Sequence, residues 1–113
     1  MDVLTDLLER TRARGSLFAQ SDLHAPWGFR FPAEPVIQFH VVLQGACYLR
    51  RAGAEPLALH QGDVVFVAAE QEYELVDALA SPVTSFAPFR SAARAAGAFI
   101  WPGEGEVTRL LCG

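Results

Sequence analysis

Lysine is missing from this chain. All nine cationic residues are arginine, set against thirteen acidic ones. The formal net charge of −4 and the pI near 5.2 argue against the basic footprint of a nucleic-acid-binding surface. With abundant alanine, the all-arginine set points to a GC-rich bacterial genome. Cysteine is scarce too. Cys47 and Cys112 each lie in an apolar stretch and show neither a disulfide framework nor metal-type spacing. They read as buried free thiols in a reducing cytoplasm. No apolar run approaches the length of a membrane span, and the acidic, amphipathic N-terminus is unlike a secretory leader. Internal repeats and low-complexity tracts are absent. At 113 residues, half of them hydrophobic, the chain reads as one domain over 1–113.

What is present is organised around residues 36–77. Ile37, Phe39, Val41 and Leu43 alternate with Gln38, His40 and Gln44, and period two predicts a half-buried strand. Gly45 interrupts it, and residues 47–50 begin another. Residues 53–56, Gly-Ala-Glu-Pro, are turn chemistry. Residues 57–59 form a short strand, Gly62 and Asp63 a turn, residues 64–67 a buried strand and residues 73–76 another strand. Short strands at close spacing with glycine-bearing turns predict an antiparallel sandwich or barrel.

On either side the pattern is less dense. Asp2 suits an N-cap, Val3, Leu4, Leu7 and Leu8 share a helical face, and Gly15 suits the C-terminal cap. Arg10, Arg12 and Arg14 gather at that helix end, where they offset the dipole. Leu17, Ala19 and Ser21 alternate with Phe18 and Gln20 as a first strand, and residues 29–31 make a brief second one. Residues 78–82 read as a loop, and 84–89 fit either helix or strand. Residues 91–96 predict a short helix ended by Gly97, residues 102–105 a turn, and residues 107–112 a final strand.

These segments resemble a known family. The run Met1-Asp2-Val3-Leu4-Thr5-Asp6-Leu7-Leu8 is followed by Gly15-Ser16-Leu17-Phe18 and Ala25-Pro26-Trp27-Gly28. Then come Phe39-His40-Val41-Val42-Leu43-Gln44-Gly45, Gly62-Asp63-Val64-Val65 and Thr108-Arg109-Leu110-Leu111-Cys112-Gly113. In that order they resemble the N-terminal cupin domain of AraC-type transcription regulators. The resemblance implies a mainly all-β fold: a double-stranded β-helix, or jelly-roll barrel, with a short N-terminal helix. It implies a cytoplasmic, non-catalytic domain that binds a small organic ligand and forms a homodimer. DNA would be bound by a C-terminal pair of helix-turn-helix motifs outside this chain. The alternative is a stand-alone cupin, either a metal-dependent isomerase or dioxygenase or a binding protein.

The cupin motifs locate the site. Laid on Gly62, the second motif puts its proline on Ala68, its second glycine on Glu70, its histidine on Tyr73 and its asparagine on Asp77. Laid on Gly45, the first motif puts its glutamate on Gln38 and its His-x-His pair on Pro32 and Glu34. The four usual metal ligands are thus replaced, so neither metal nor cofactor is expected. Gln38, His40 and Tyr73 become the candidates for ligand contact in the lumen. His40 is either a ligand-contacting, pH-responsive histidine or a hydrogen-bonded core histidine that shapes the barrel. Tyr73 either donates its phenol to a lumenal ligand or plugs the cavity. Glu34, Glu70, Glu72 and Glu74 read as surface charges rather than acid–base groups. His24, His40 and His60 would suffice for zinc in number but not in spacing. The aromatic residues Trp27, Phe29, Phe31, Phe66, Phe86, Phe89, Phe99 and Trp101 are expected in a core, an interface or an apolar pocket wall.

Barrels of this type usually carry further strands after the segment ending at Gly113. The expectation is therefore a terminal strand over 107–112 with an unpaired edge that invites a second copy. If that strand instead folds back to close the barrel, the chain is a monomer.

Overall fold

The computed structural model describes residues 19–113. The N-terminal helix expected over residues 2–15, and Leu17 and Phe18 of the first strand, lie outside the described residues. Ten strands and one helix are described: β1 (Ala19–His24), β2 (Gly28–Phe31), β3 (Gln38–Gln44), β4 (Ala46–Arg50), β5 (Leu57–His60), β6 (Val64–Val67), β7 (Tyr73–Val76), β8 (Thr84–Ser85), α1 (Ala87–Ala96), β9 (Ala98–Trp101) and β10 (Val107–Cys112). They build two five-stranded sheets, in the orders β6-β3-β10-β1-β9 and β5-β4-β7-β2-β8. Pairing is antiparallel except for β1 with β9 and β2 with β8. This is the jelly-roll barrel that the sequence predicts.

Two glycines make the crossings between sheets. Gly45 joins β3 to β4 at φ 87°, and a Cβ there would meet the Val107 carbonyl oxygen at 3.2 Å. Gly62 sits at φ 93° in the turn that ends β5, closed by Asp63 N–H to His60 C=O at 2.9 Å. That left-handed φ at the third turn position is what a type II turn requires.

Between the sheets lies an aromatic core. Phe29 is 1% exposed. The rings of Phe86, Phe89, Phe99 and Trp101 meet it edge-on, with centroids 5.5, 6.4, 5.7 and 5.0 Å away. Such pairs add to area burial, and truncating Phe29 to alanine costs about 3–5 kcal/mol. Leu23, Leu49, Leu59, Val67, Leu75 and Leu110 fill the rest. Phe66 stands apart from this core, exposed on β6 and paired with Phe39 across the strands at 6.2 Å.

The structure corrects five expectations. Residues 64–67 are not a buried strand: β6 is a sheet edge, with Val64 50% and Phe66 69% exposed. The helix begins at Ala87 rather than Ser91, because Pro88 falls in the first turn, where a missing N–H costs nothing. Gly97 caps it at φ 69°, as predicted. Residues 98–101 form β9, a strand the sequence reading left unassigned, with Phe99 and Trp101 turned toward the core. β10 has no open edge: it lies between β1 and β3 and pairs with both. The edges of its sheet are β6 and β9. Finally, Glu34 and Glu74 are half-buried ion-pair partners rather than free surface charges, Glu34 of Arg90 and Glu74 of Arg50. Among the described residues, no helix is long and apolar enough to cross a membrane.

Candidate functional site

Strand β3 has its polar phase inside. Gln38 and His40 are 3% and 2% exposed; on the alternate phase Ile37, just before the strand, is 65% exposed, while Val41 is buried as well. A hydrophobic strand normally turns its apolar phase inward. Here the lumen takes the amide and imidazole because other elements supply partners for them.

Those partners form one continuous chain. Tyr73 Oη, at the start of β7, lies 2.6 Å from His40 Nε2 and 3.2 Å from Gln38 Oε1. Arg90 of α1 donates from Nη2 to Gln38 Oε1 at 2.8 Å and from Nη1 to the Glu34 carboxylate. Cys112 Sγ, in β10, lies 3.0 Å from His40 Nδ1, and Ser21 of β1 hydrogen-bonds to that sulfur. Phe31 stacks on Tyr73 at 5.1 Å and lies against His40 at 5.1 Å. The loop carrying Glu34 is held by its own backbone, since Glu70 N–H donates to Glu34 C=O at 2.7 Å.

Proton positions follow by elimination. The guanidinium only donates, so the Gln38 atom facing Arg90 is the oxygen. Tyr73 must then donate to that oxygen. His40 Nε2 therefore carries the proton and donates to Tyr73 Oη. Nδ1 is left as the acceptor for the Cys112 thiol. Electrostatics agree with a neutral ring. Burial, reinforced by Arg90, pushes the His40 pKa down to about 3. Burial raises Cys112 to about 12 and keeps the Tyr73 phenol protonated well above its ordinary value. Cys47, buried on the other sheet, is likewise pushed up to about 12.

Beside this chain lies a cavity of about 30 Å³, room for one water-sized group. Ser21, Phe31, Gln38, His40, Phe86, Arg90, Arg94 and Cys112 line it. A second hollow of about 300 Å³ lies between β4, β5 and β6, with Leu49, Leu57, Val65, Val67 and Tyr73 in its walls and Arg51 and Gln71 at its rim. Tyr73 thus has a place in both settings: its hydroxyl closes the polar chain and its side chain borders the larger hollow.

The three sequence candidates, Gln38, His40 and Tyr73, are brought together. His24 and His60 end β1 and β5 and have no part in the chain. The sequence reading missed Arg90, Cys112 and Ser21 as members and placed Glu34 outside. Arg90 had a signal: with the helix begun at Ala87, Phe86, Phe89, Arg90 and Ala93 share one apolar helical stripe.

The donor set does not fit the metal that cupin motifs ordinarily hold. Both nitrogens of the single histidine are engaged, the phenol stays protonated, and a guanidinium stands 2.8 Å from the one amide oxygen. Among the described residues no three His, Cys, Asp or Glu side chains converge on one point.

A cupin family model matches residues 2–113. A Streptomyces antibioticus protein assigned as an AraC-like transcription regulator is 32% identical over 115 residues, covering 100% of this chain. The chain spans 37% of that relative's length. A cupin-2 domain protein from Shewanella frigidimarina superposes with a TM-score of 0.52 at 8% identity, over 84% of this chain and 65% of that one. The cupin domain of CENP-C from Drosophila melanogaster also gives 0.52, at 13% identity, over 85% and 58%. Both structural likenesses concern the fold.

Proposed function

The chain belongs to the cupin family, and we propose that it is the ligand-sensing and dimerisation domain of an AraC-like bacterial transcription regulator, acting without catalysis. Its similarity, along the whole of this chain, to part of the Streptomyces antibioticus protein supports the regulator assignment. One structural observation supports a sensing rather than a catalytic lumen: the chain from Glu34 through Arg90, Gln38, Tyr73 and His40 to Cys112 occupies the barrel interior. Catalysis on a metal needs an open coordination position, and nucleophilic catalysis needs an activated thiolate or alkoxide. Here the histidine is neutral and the thiol stays protonated. Gln38, His40 and Tyr73 are the ligand-contact residues in this reading.

Residues 1–113 act as one sensor unit in the cytoplasm, and DNA contact belongs to another part of the regulator. The net charge of −4 disfavours phosphate binding by this chain. A homodimer forms through the outer face of the β6 edge, where Val64 and Phe66 are exposed beside Ile37. Exposed apolar patches of this kind mark association surfaces.

Thermal-shift screening against a collection of small organic molecules tests the sensing role, because a ligand that binds the native state raises its melting temperature. At least one compound should stabilise the protein, and Tyr73→Phe should weaken that stabilisation while keeping the fold. If every hit binds Tyr73→Phe and parent equally, Tyr73 is a plug and not a ligand contact.

A further inference from the structure

The lumenal chain leaves one donor unused. Gln38 is 3% exposed, its Oε1 is shared by Tyr73 and Arg90, and its Nε2 has no hydrogen-bond partner among the described residues. Native proteins rarely bury an amide donor without an acceptor. Gln38 lines the small cavity, and so do two arginines one helical turn apart on α1. Arg90 is mostly buried, with its side chain 14% exposed. Arg94 is exposed at the mouth and has no ion-pair or hydrogen-bond partner among the described residues. Phe31, Phe86 and Ala93 make apolar walls, and Ser21, His40 and Cys112 line it too. The cavity is open to solvent at its mouth, beside Arg94.

This is a site with cationic donors and an orphan N–H at its floor and aromatic carbon at its sides. We infer that the cavity takes the carboxylate of a small monocarboxylate, a short-chain or single-ring acid whose apolar body extends toward the open mouth; this deepens the ligand-sensing reading and rests on it. The carboxylate accepts from Gln38 Nε2 and takes the place of Glu34 on Arg90. Glu34 is the resident carboxylate that the ligand displaces, so the charge balance at Arg90 is unchanged by the exchange. Arg–carboxylate pairing in a partly dry site is short, directional and strong. Arg94 draws the anion to the mouth, and the apolar body lies against Phe31 and Phe86. No other charge competes at the floor, where His40 and Cys112 are both neutral. A neutral polyol could not replace Glu34 as the counter-charge of Arg90 and would leave the apolar walls unused.

The test uses sodium benzoate and sodium hexanoate against their neutral isosteres, benzamide and hexanamide, with ionic strength matched by sodium chloride. Binding is followed by calorimetry and by melting temperature. The acids should raise the melting temperature and the amides should not. Glu34→Gln removes the competing carboxylate and should tighten acid binding by about tenfold. Arg90→Met should abolish it. If Arg90→Met does not fold, Glu34→Gln carries the test alone. Amides that bind as well as the acids, or a Glu34→Gln protein that binds acids no tighter, overturn the proposal. If neutral compounds stabilise the protein and acids do not, the ligand class is wrong and the sensing role stands. If no compound of any class stabilises it, the sensing role falls as well.

Discussion

Arg90 of α1 and Gln38 of β3 lie 52 positions apart in the sequence and 2.8 Å apart in the fold. That contact orients the Gln38 amide. The amide orients the Tyr73 hydroxyl, and the hydroxyl sets the tautomer of His40. One helical arginine thereby fixes the protonation pattern of a barrel interior built from β1, β3, β7 and β10.

His40 gives the domain a pH-dependent stability with a defined sign. Its native pKa is pushed down to about 3 by burial, with Arg90 adding to the effect, from an ordinary value of 6.5. Between those values the unfolded chain binds a proton that the native chain does not, so stability is full above 6.5 and falls as pH drops. The slope due to this residue approaches about 1.4 kcal/mol per pH unit. Urea unfolding of parent and His40→Gln between about pH 4.5 and 7 checks this, in a range above most carboxylate titration. The variant should show a flatter profile; parallel profiles would refute a buried neutral histidine.

Both thiols should be inert in the native state. Burial raises Cys47 and Cys112 to about 12, and only the thiolate attacks an alkylating reagent. Iodoacetamide at mildly alkaline pH should label neither residue in the folded protein and both in urea, read by mass spectrometry. Rapid native labelling of Cys112 would place it outside the lumenal chain.

Glu70 carries φ 66° and is the one non-glycine residue with positive φ among the described residues. It occupies the position where the second cupin motif has a glycine. A side chain in the left-handed region costs roughly 1 kcal/mol. Glu70→Gly should therefore stabilise the protein by about 0.5–1 kcal/mol in denaturant unfolding, reduced by the greater freedom glycine gives the unfolded chain. A loss of stability would mean that the Glu70 carboxylate makes an interaction that outweighs the strain.

The proposed association surface can be separated from the core by two substitutions. Phe66 is 69% exposed on β6, whereas Leu111 is 4% exposed in β10, a strand paired on both sides. Phe66→Asp should leave the fold intact and shift the light-scattering mass to 12.3 kDa, the single chain. Leu111→Arg should unfold the domain. A dimer that survives Phe66→Asp would put the interface elsewhere.

Much of the fold was legible because strands and turns are local. Alternation from Ile37 to Gln44, the short apolar runs at 64–67 and 73–76, and the glycines at 45 and 62 carry their signal within a few residues. The order of strands is not local. Nothing near Val107 says that β10 inserts between β1 and β3, which is why the edge expected there was misplaced. The site was half legible. Motif spacing aimed Gln38, His40 and Tyr73 at the lumen, and the structure puts them in contact. Arg90 and Glu34 remained invisible as a pair, 56 positions apart, because the helix start at Ala87 was hidden by Pro88.

The central claim is that the lumen holds a neutral histidine locked between a phenol and a thiol, in place of a metal centre. Long-range proton–nitrogen NMR of the His40 ring tests it directly. The account predicts a neutral ring protonated on Nε2, with nitrogen shifts that stay constant as pH falls from 7 to about 4.5. An imidazolium that titrates near the ordinary value of 6.5, or a ring nitrogen shifted by a bound metal ion, would contradict it.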